Sequence, residues 1–187
     1  MLNQTTEQIE NFSIDHAALL QFCKSINALQ EAATIVISSE GITYRDMDPS
    51  HVALMDIALP NSIFEKYAIS NEKKIGLKVR ELLDAVKSLD KKSSVKVEFL
   101  AESIRLTQKG MILSVKTEEP SSNDTPLPRI PYDARIELGQ KQFKEIVKKA
   151  ASVGDYLTID TMDSTVIFSS KGDNGDYQET KTKEDFI

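Results

Sequence analysis

The sequence contains an internal repeat of about 62 residues, and this repeat restricts the possible folds more than any other feature. Ile42, Ile104 and Val166 occupy equivalent places, 62 residues apart at each step. Before each of them lies a segment with apolar residues at helical spacing, and around each lie segments in which apolar and polar residues alternate. The pattern predicts a repeat of strand, helix and three further strands, present three times.

Each predicted helix has an apolar stripe that must be covered. The stripes consist of Leu19, Phe22, Cys23, Ile26 and Leu29; of Leu82, Leu83, Val86 and Leu89; and of Phe143, Ile146, Val147 and Ala150. Two repeats side by side form one domain, so we expect an α+β fold with helices on one face of antiparallel sheets. Residues 1–117 supply two repeats and residues 134–187 supply one. The Pro- and Ser-rich segment 118–133 is expected to be an extended linker.

The segment RDMDPSHVALMDIAL, residues 45–59, predicts an Asp-Pro turn followed by a strand at 51–59. Its apolar residues alternate between the two faces, with Val52, Leu54 and Ala58 on one and Ala53, Met55, Ile57 and Leu59 on the other. A strand at a solvated surface carries polar residues at alternate positions, so this strand is expected to be covered on both faces. The pattern leaves open what covers the second face and the edge.

The composition excludes several classes of protein. The chain of 187 residues has a net charge of −6, so any contact with DNA or RNA would need a local basic face. The single cysteine, Cys23, excludes an internal disulfide and is predicted to be a small core residue in a reducing compartment. No signal peptide is recognisable, and no stretch reaches the roughly 18 apolar residues that a membrane span needs. We expect a cytoplasmic or nucleoid protein, nuclear if eukaryotic, without membrane contact.

The sequence shows no catalytic or metal-binding constellation. Ser50 and His51 are adjacent and would face opposite sides of a strand, so they are not expected to form a nucleophile–base pair. One cysteine and two histidines are too few soft ligands for a zinc site. Asp46 and Asp48 are interpreted as turn residues rather than cation ligands, and GDNGD at 172–176 as a hairpin turn rather than a calcium loop. We expect no enzyme activity, no cofactor and no metal.

Basic residues recur on the predicted helices. In chain order they are Lys24 on the first helix, Arg80 and Lys87 on the second, and Lys141, Lys144, Lys148 and Lys149 on the third. Two interpretations remain open. Each group is an ordinary solvated helix face, or the helices line one surface and form a cationic band that contacts phosphates without reading sequence.

Three segments carry a more specific pattern: GITYRDMDPSHVALMDIAL, TPLPRIPYDARIEL and FKEIVKKAASVGDYLTI. In this order and spacing they resemble the DNA sliding clamp family of proliferating cell nuclear antigen (PCNA), in its archaeal form, and the resemblance covers residues 9–187. It implies a DNA-clamp architecture and a processivity factor without catalysis. Clamps of this family are trimeric rings that encircle double-stranded DNA with their helices lining the hole, and they tether polymerase, ligase, nuclease and clamp loader through short motifs.

The resemblance also implies roles for individual residues. The DNA-facing cations would be Lys24, Arg80, Lys87, Lys141, Lys144, Lys148 and Lys149. The groove for apolar and aromatic side chains of partner peptides would be formed by Met47, His51, Val52, Leu54, Leu127 and Ile130. The strands at the subunit junction would present Met111, Leu113 and Val115 at one end of the chain and Tyr177, Glu179 and Lys181 at the other.

The chain departs from the family pattern in its number of repeats, since a full member has four and this sequence has three. The strand that would pair with 51–59 belongs to the absent repeat, so that edge is expected to be open or covered by another chain. Weaker partner binding and an assembly other than the usual trimer would follow. Leu20, Gln21 and Asn27 stand where relatives often carry lysine, which lowers the expected positive potential in the hole.

Three interpretations are therefore carried forward. The first is a sliding clamp subunit that acts as a scaffold on DNA. The second is a truncated, clamp-derived interaction module that forms no closed ring alone and regulates a full-length clamp through the strands at 111–117 or 177–183. The third is a gene fragment without a purpose of its own.

Overall fold

The computed structural model describes residues 10–121, 125–132, 134–173 and 175–182, which contain three α-helices and twelve β-strands. The helices are α1 (His16–Leu29), α2 (Val79–Lys87) and α3 (Gln140–Ala151). The strands are β1 (Asn11–Ile14), β2 (Ala32–Ser38), β3 (Gly41–Met47), β4 (Leu54–Pro60), β5 (Lys66–Ala68), β6 (Lys73–Lys78), β7 (Val95–Phe99), β8 (Ser103–Gln108), β9 (Met111–Glu118), β10 (Thr158–Met162), β11 (Thr165–Gly172) and β12 (Gly175–Thr182). The predicted α+β class is confirmed, and three strands follow each helix; the first repeat has a further short strand, β5, that the pattern did not predict.

The chain divides into two compact units between Leu127 and Pro128. The first unit contains one antiparallel sheet of nine strands in the order β4-β3-β2-β6-β9-β8-β7-β1-β5. Ile42 on β3 and Ile104 on β8 are each 2% exposed, as their equivalence in the repeat predicts. The sheet therefore contains both of the first two repeats.

The two repeats of the first unit are joined into one sheet by their first strands. β1 of the first repeat pairs with β7 of the second, whereas β6, which opens the second repeat, pairs with β2 of the first. The repeats thus exchange their first strands. At the centre of the sheet, β6 and β9 are joined by two residue pairs, Gly76 with Glu118 and Leu77 with Thr117.

The helices α1 and α2 share one core beneath the sheet. The predicted stripe residues of both helices are buried, apart from the partly buried Leu29. Asp15 caps α1 by accepting hydrogen bonds from the N–H groups of Ala17 and Ala18. The buried ring of His16 forms a 2.9 Å hydrogen bond through Nε2 with the carbonyl oxygen of Val86, which fixes α1 against α2. The outward faces of the two helices consequently have a defined orientation.

The second unit is smaller and contains α3 and a sheet in the order β10-β11-β12. Its buried core consists of Ile146, Val166 and Phe168. The predicted burial of Phe143 and Val147 is wrong, because these side chains are 42% and 41% exposed. In the first unit α1 and α2 cover each other, but the described residues of the second unit include α3 as their single helix.

Two predicted strands have different boundaries in the structure, and the strand that would open the third repeat, at 134–138, is not found in the part of the chain that the structure describes. The strand expected at 51–59 begins at Leu54, because residues 48–53 form a turn. The strand expected at 134–138 is absent from the described residues of that segment, which pair with no strand. The strand expected at 177–183 runs from Gly175 to Thr182, and Lys183 lies outside the described residues.

Candidate functional site

The predicted DNA-facing cations of the first unit lie on the exposed faces of α1 and α2. Lys24, Arg80 and Lys87 are all exposed. On α2, however, both cations contact the carboxylate of Asp84: Arg80 Nε lies 3.1 Å from Oδ2 and Lys87 Nζ lies 3.1 Å from Oδ1. These hydrogen bonds, from Lys87 first and then Arg80, hold the pKa of Asp84 below its usual value. Asp84 therefore stays ionised and offsets part of the positive charge of this face.

The cations of α3 have a different environment. Lys141, Lys144 and Lys148 are exposed, and within the described residues none of the three forms an ion pair. Lys149 instead forms a 2.7 Å ion pair with Glu179 on β12. The predicted set of four lysines thus separates into three that face solvent and one that joins α3 to the sheet.

The turn between β3 and β4 holds part of the predicted partner groove. Asp48 organises this turn, because its Oδ1 accepts hydrogen bonds from the N–H groups of Val52 (2.8 Å) and Ala53 (2.7 Å). Its Oδ2 accepts a third from the N–H of Ser50 (3.0 Å). These donors, that of Ala53 foremost, keep the pKa of Asp48 below its ordinary value. The turn is therefore built around an ionised carboxylate.

The backbone of His51 lies in the left-handed region, with φ of 57°. Ser50 and His51 both lie in the turn, so the prediction that they face opposite sides of a strand is wrong. Val52 is 84% exposed. Met55 and Ile57, further along β4, pack against the core, while Ala58 is exposed. In the described structure β4 is thus covered on one face, and not on both as expected.

Two described residues after β9, on either side of 122–124, contact the sheet of the first unit. The N–H of Ser121 donates to Thr34 Oγ1 on β2 (2.8 Å), and Thr125 Oγ1 donates to Asp46 Oδ1 on β3 (3.2 Å). Ser121 thus lies beside β2 and Thr125 lies beside β3, the strand that ends at Met47. The two predicted linker residues of the groove are both exposed, Leu127 by 54% and Ile130, in the second unit, by 53%.

Replacing Asp48 with alanine is expected to loosen this turn, because three N–H groups lose their acceptor. The amide protons of Val52 and Ala53 should exchange with solvent about tenfold faster, as in a segment of low local stability. Asp56→Ala is the matched control, since the Asp56 carboxylate pairs with the side chain of Arg45 at 3.1 Å. Hydrogen exchange followed by NMR measures the effect. Equal exchange in the Asp48 variant and the unmodified chain would contradict it.

The strands predicted at the subunit junction have open edges in the described structure. β9 pairs with β8 over its length but with β6 only at Thr117 and Glu118, so its edge from Met111 to Lys116 carries no described strand. β12 is the last strand of its sheet. The exposure of the predicted junction residues differs: Met111 is 49% exposed, Val115 is 6% exposed, and Leu113, Tyr177, Glu179 and Lys181 are half-buried.

A charged cluster ties β12 to α3. Glu179 contacts Lys149, Lys181 (2.8 Å) and the hydroxyl of Tyr177 (2.8 Å). These three donors, Lys149 first, lower the pKa of Glu179 to about 2. Burial, followed by the neighbouring Glu179, raises the pKa of Tyr177 to about 12. The cluster orders the edge strand against the helix.

Sequence reasoning missed two acidic residues that change the candidate site. Asp84 lies four residues after Arg80 and three before Lys87, a spacing that places all three side chains on one helix face. The sequence alone therefore indicated that Asp84 contacts both cations. Glu179 lies 30 residues from Lys149, and no local pattern connects them.

Across the described ranges, no group of three or more His, Cys, Asp and Glu side chains is arranged to hold a metal ion. In the GDNGD segment, Gly172 and Gly175 are paired across the β11–β12 hairpin, and Asn174 lies outside the described residues. No helix within the same ranges is long and apolar enough to cross a membrane.

Repeated units of this kind, with helices packed on antiparallel sheets, define the DNA-clamp fold. Two solved structures share it. One is PCNA from A. fulgidus with the C-terminal region of FEN-1 bound, with a TM-score of 0.84, 23% identity, and coverage of 95% of this chain and 74% of that one. The other is PCNA from Thermococcus kodakaraensis, with a TM-score of 0.86, 20% identity, and coverage of 94% and 74%. At these identities the likeness concerns the fold.

The family follows from the sequence itself. Residues 10–119 match the family model of the proliferating cell nuclear antigen N-terminal domain, so the chain belongs to the PCNA family. Two archaeal relatives, from Nitrosopumilus maritimus and Cenarchaeum symbiosum, are named DNA polymerase sliding clamp, and each is 44% identical to this chain over 154 residues. Those alignments cover 81% of this chain and 62% of each relative.

Proposed function

We propose that the chain is a subunit of a DNA sliding clamp, a ring that encircles duplex DNA and holds replication and repair enzymes on it. The observation that carries this proposal is the 44% identity over 154 residues to proteins named DNA polymerase sliding clamp. In this role the chain is a scaffold without catalysis that acts in the cytoplasm or nucleoid.

The DNA contact that we propose is electrostatic and independent of base sequence. Lysine and arginine side chains on the solvent faces of α1, α2 and α3 would contact phosphates and displace counterions. They are Lys24, Arg80, Lys87, Lys141, Lys144 and Lys148, whereas Lys149 would act mainly through Glu179. The exposure of these side chains supports this assignment.

The partner contact that we propose uses the turn between β3 and β4 and the segment that follows β9. A. fulgidus PCNA binds the C-terminal region of FEN-1, and we infer that comparable short segments of polymerase, ligase, nuclease and clamp loader bind this chain. Within the first unit the groove would consist of Met47, His51, Val52, Leu54 and Leu127. The 84% exposure of Val52 on an ordered turn supports it, because exposed apolar side chains on a rigid scaffold favour binding.

The assembly that we propose is head-to-tail, with the β9 edge of one copy pairing with the β12 edge of the next in an antiparallel ladder. Family resemblance implies three copies. The edges at Met111–Lys116 and along β12 support this arrangement. β4, the last strand of the nine-stranded sheet, offers a further edge to a strand from another chain.

Retention on circular DNA tests the proposal. A ring that encircles DNA is expected to stay with a closed plasmid during gel filtration and to leave once the plasmid is linearised. Lys144→Ala combined with Lys148→Ala should lower the retained fraction about fivefold, because two phosphate contacts are lost. Equal retention on circular and linear DNA would refute encirclement.

The matched control for those lysines is Lys66→Ala combined with Lys171→Ala. This variant has the same change in net charge, but its exposed lysines lie on strands β5 and β11. The control should retain DNA like the unmodified chain. An equal loss in both double variants would show that net charge, and not the α3 face, governs retention.

A further inference from the structure

The second helix is unusual among the three, because its outward cations are matched by carboxylates on the same helix. Arg80 and Lys87 each lie 3.1 Å from Asp84, and Lys78, just before α2, lies 3.7 Å from Glu81. The side chains of Arg80, Asp84 and Lys87 are 68%, 53% and 45% exposed. A phosphate can therefore reach the same cations that Asp84 contacts.

The position of Asp84 on its helix has counterparts in the other two repeats. When the helices are aligned on their N-caps, Asp84 corresponds to Gln21 on α1 and to Glu145 on α3. Glu145 lies four residues after Lys141 and three before Lys148, the same spacing that Asp84 has to its two cations. In the described structure Asp84 pairs with both of its cations, whereas Glu145 pairs with neither lysine.

We infer that Asp84 limits the attraction between the first unit and duplex DNA. This inference rests on the proposed clamp function and concerns the strength of the DNA contact. Exposed ion pairs are weak, so a phosphate can compete for Arg80 and Lys87. The displaced Asp84 carboxylate then remains beside the phosphate and repels it, which cancels much of the gain. The cations of α3 consequently supply most of the attraction, and α2 contacts the duplex weakly enough to move along it.

Salt-dependent binding to a short duplex tests this inference. Fluorescence anisotropy with a labelled duplex of about 30 base pairs is measured from low to moderate salt for the whole chain. Asp84→Asn should bind about threefold to tenfold more tightly at low salt, and the slope of log K against log salt should steepen by about one to two, since each new phosphate contact adds about 0.9. Asp84→Lys, which adds a cation to the same helix face, should bind at least as tightly.

The matched control is Glu81→Gln. It changes the net charge by the same amount on the same helix, but in the described structure Glu81 contacts Lys78 and neither Arg80 nor Lys87. It should change affinity by less than about twofold. Circular dichroism and thermal unfolding of each variant verify that α2 remains folded.

The outcomes separate this inference from the proposed function. Equal effects of Asp84→Asn and Glu81→Gln overturn it, because the change in net charge alone would then explain the tighter binding.

If the double variant at Lys144 and Lys148 loses affinity for the duplex while Asp84→Asn changes nothing, the clamp proposal stands and the proposed role of Asp84 is refuted. If Asp84→Asn tightens binding while the double variant changes nothing, the role of Asp84 stands and the α3 contact fails. The absence of duplex binding in every variant overturns both.

Discussion

Replacing Gly76 with valine is expected to destabilise the first unit by about 3 kcal/mol or more, because overpacking against immobile atoms cannot be relieved by side-chain rotation. A Cβ atom at Gly76 would lie 2.6 Å from the carbonyl oxygen of Glu118 and 2.7 Å from that of Glu119. Both are backbone atoms. At this point the chain leaves β9 and crosses β6, and only a residue without a side chain permits the approach.

The clash falls on the junction between the two exchanged repeats. β6 and β9 are joined by two residue pairs, and Gly76 belongs to one of them. Shortly after Glu119, the N–H of Ser121 donates to Thr34 Oγ1, and Thr125 Oγ1 donates to Asp46 Oδ1 beside the proposed groove. The substitution should therefore lower both the stability of the first unit and its affinity for partner peptides.

Urea unfolding followed by circular dichroism measures the loss of stability. Ala58→Val is the matched control, since it adds a similar volume at an exposed position of β4. The control should change the free energy of unfolding by less than about 0.5 kcal/mol. If Gly76→Val also changed the free energy of unfolding by less than about 0.5 kcal/mol, β6 and β9 could separate at no energetic cost. The close approach at Gly76 would then not be required for the stability of the first unit.

Local sequence patterns predicted the helices and the repeat, because the residues that form each pattern are close together in the sequence. The stripes of α1, α2 and α3 have the 3.6-residue period, and the helices begin and end within a few residues of the predicted segments. Ile42, Ile104 and Val166 are 2%, 2% and 8% exposed, as expected for equivalent strand positions. These features depend on neighbours in sequence.

The exchange of first strands was not predictable in the same way. β1 and β6 have the alternation of a strand, but alternation does not determine which ladder a strand joins. Phe12 pairs with Val97 and Ile35 pairs with Ile75, and both pairs connect different repeats. The pattern of a single repeat therefore does not indicate that its first strand joins the other repeat.

The candidate site was predicted as a set of positions and not as a set of interactions. The spacing of Lys141, Lys144 and Lys148 correctly indicated one exposed helix face. It did not reveal the pairing of Lys149 with Glu179, which depends on the fold of β12 against α3. The pairing of Arg80 with Asp84 could have been predicted from the sequence, because a cation and a carboxylate four residues apart are neighbours on a helix surface.

A substitution in the second unit has an equally large expected effect. Phe168 is 0% exposed and is the largest residue of a buried core that otherwise contains Ile146 and Val166. Phe168→Ala should cost about 3 to 5 kcal/mol, since a buried aromatic ring is lost and a cavity remains. The remaining residues packed around this core, Ile136, Leu138, Leu157 and Tyr177, are only partly buried, so we expect the second unit to unfold under conditions in which the first unit stays folded.

Hydrogen exchange by residue distinguishes this outcome from a general loss of stability. Amides of β11 should lose protection in Phe168→Ala, while amides of β3 and β8, which belong to the separate core of the first unit, should keep it. Tyr156→Ala is the control, because this aromatic residue of the same unit is 81% exposed and its loss should leave protection unchanged. Joint loss of protection in both units would contradict independent cores. Because Lys144 and Lys148 are held in place by the packing of α3 on β11, unfolding of the second unit should also abolish retention on circular DNA, even though every proposed DNA-facing residue is still present in the chain.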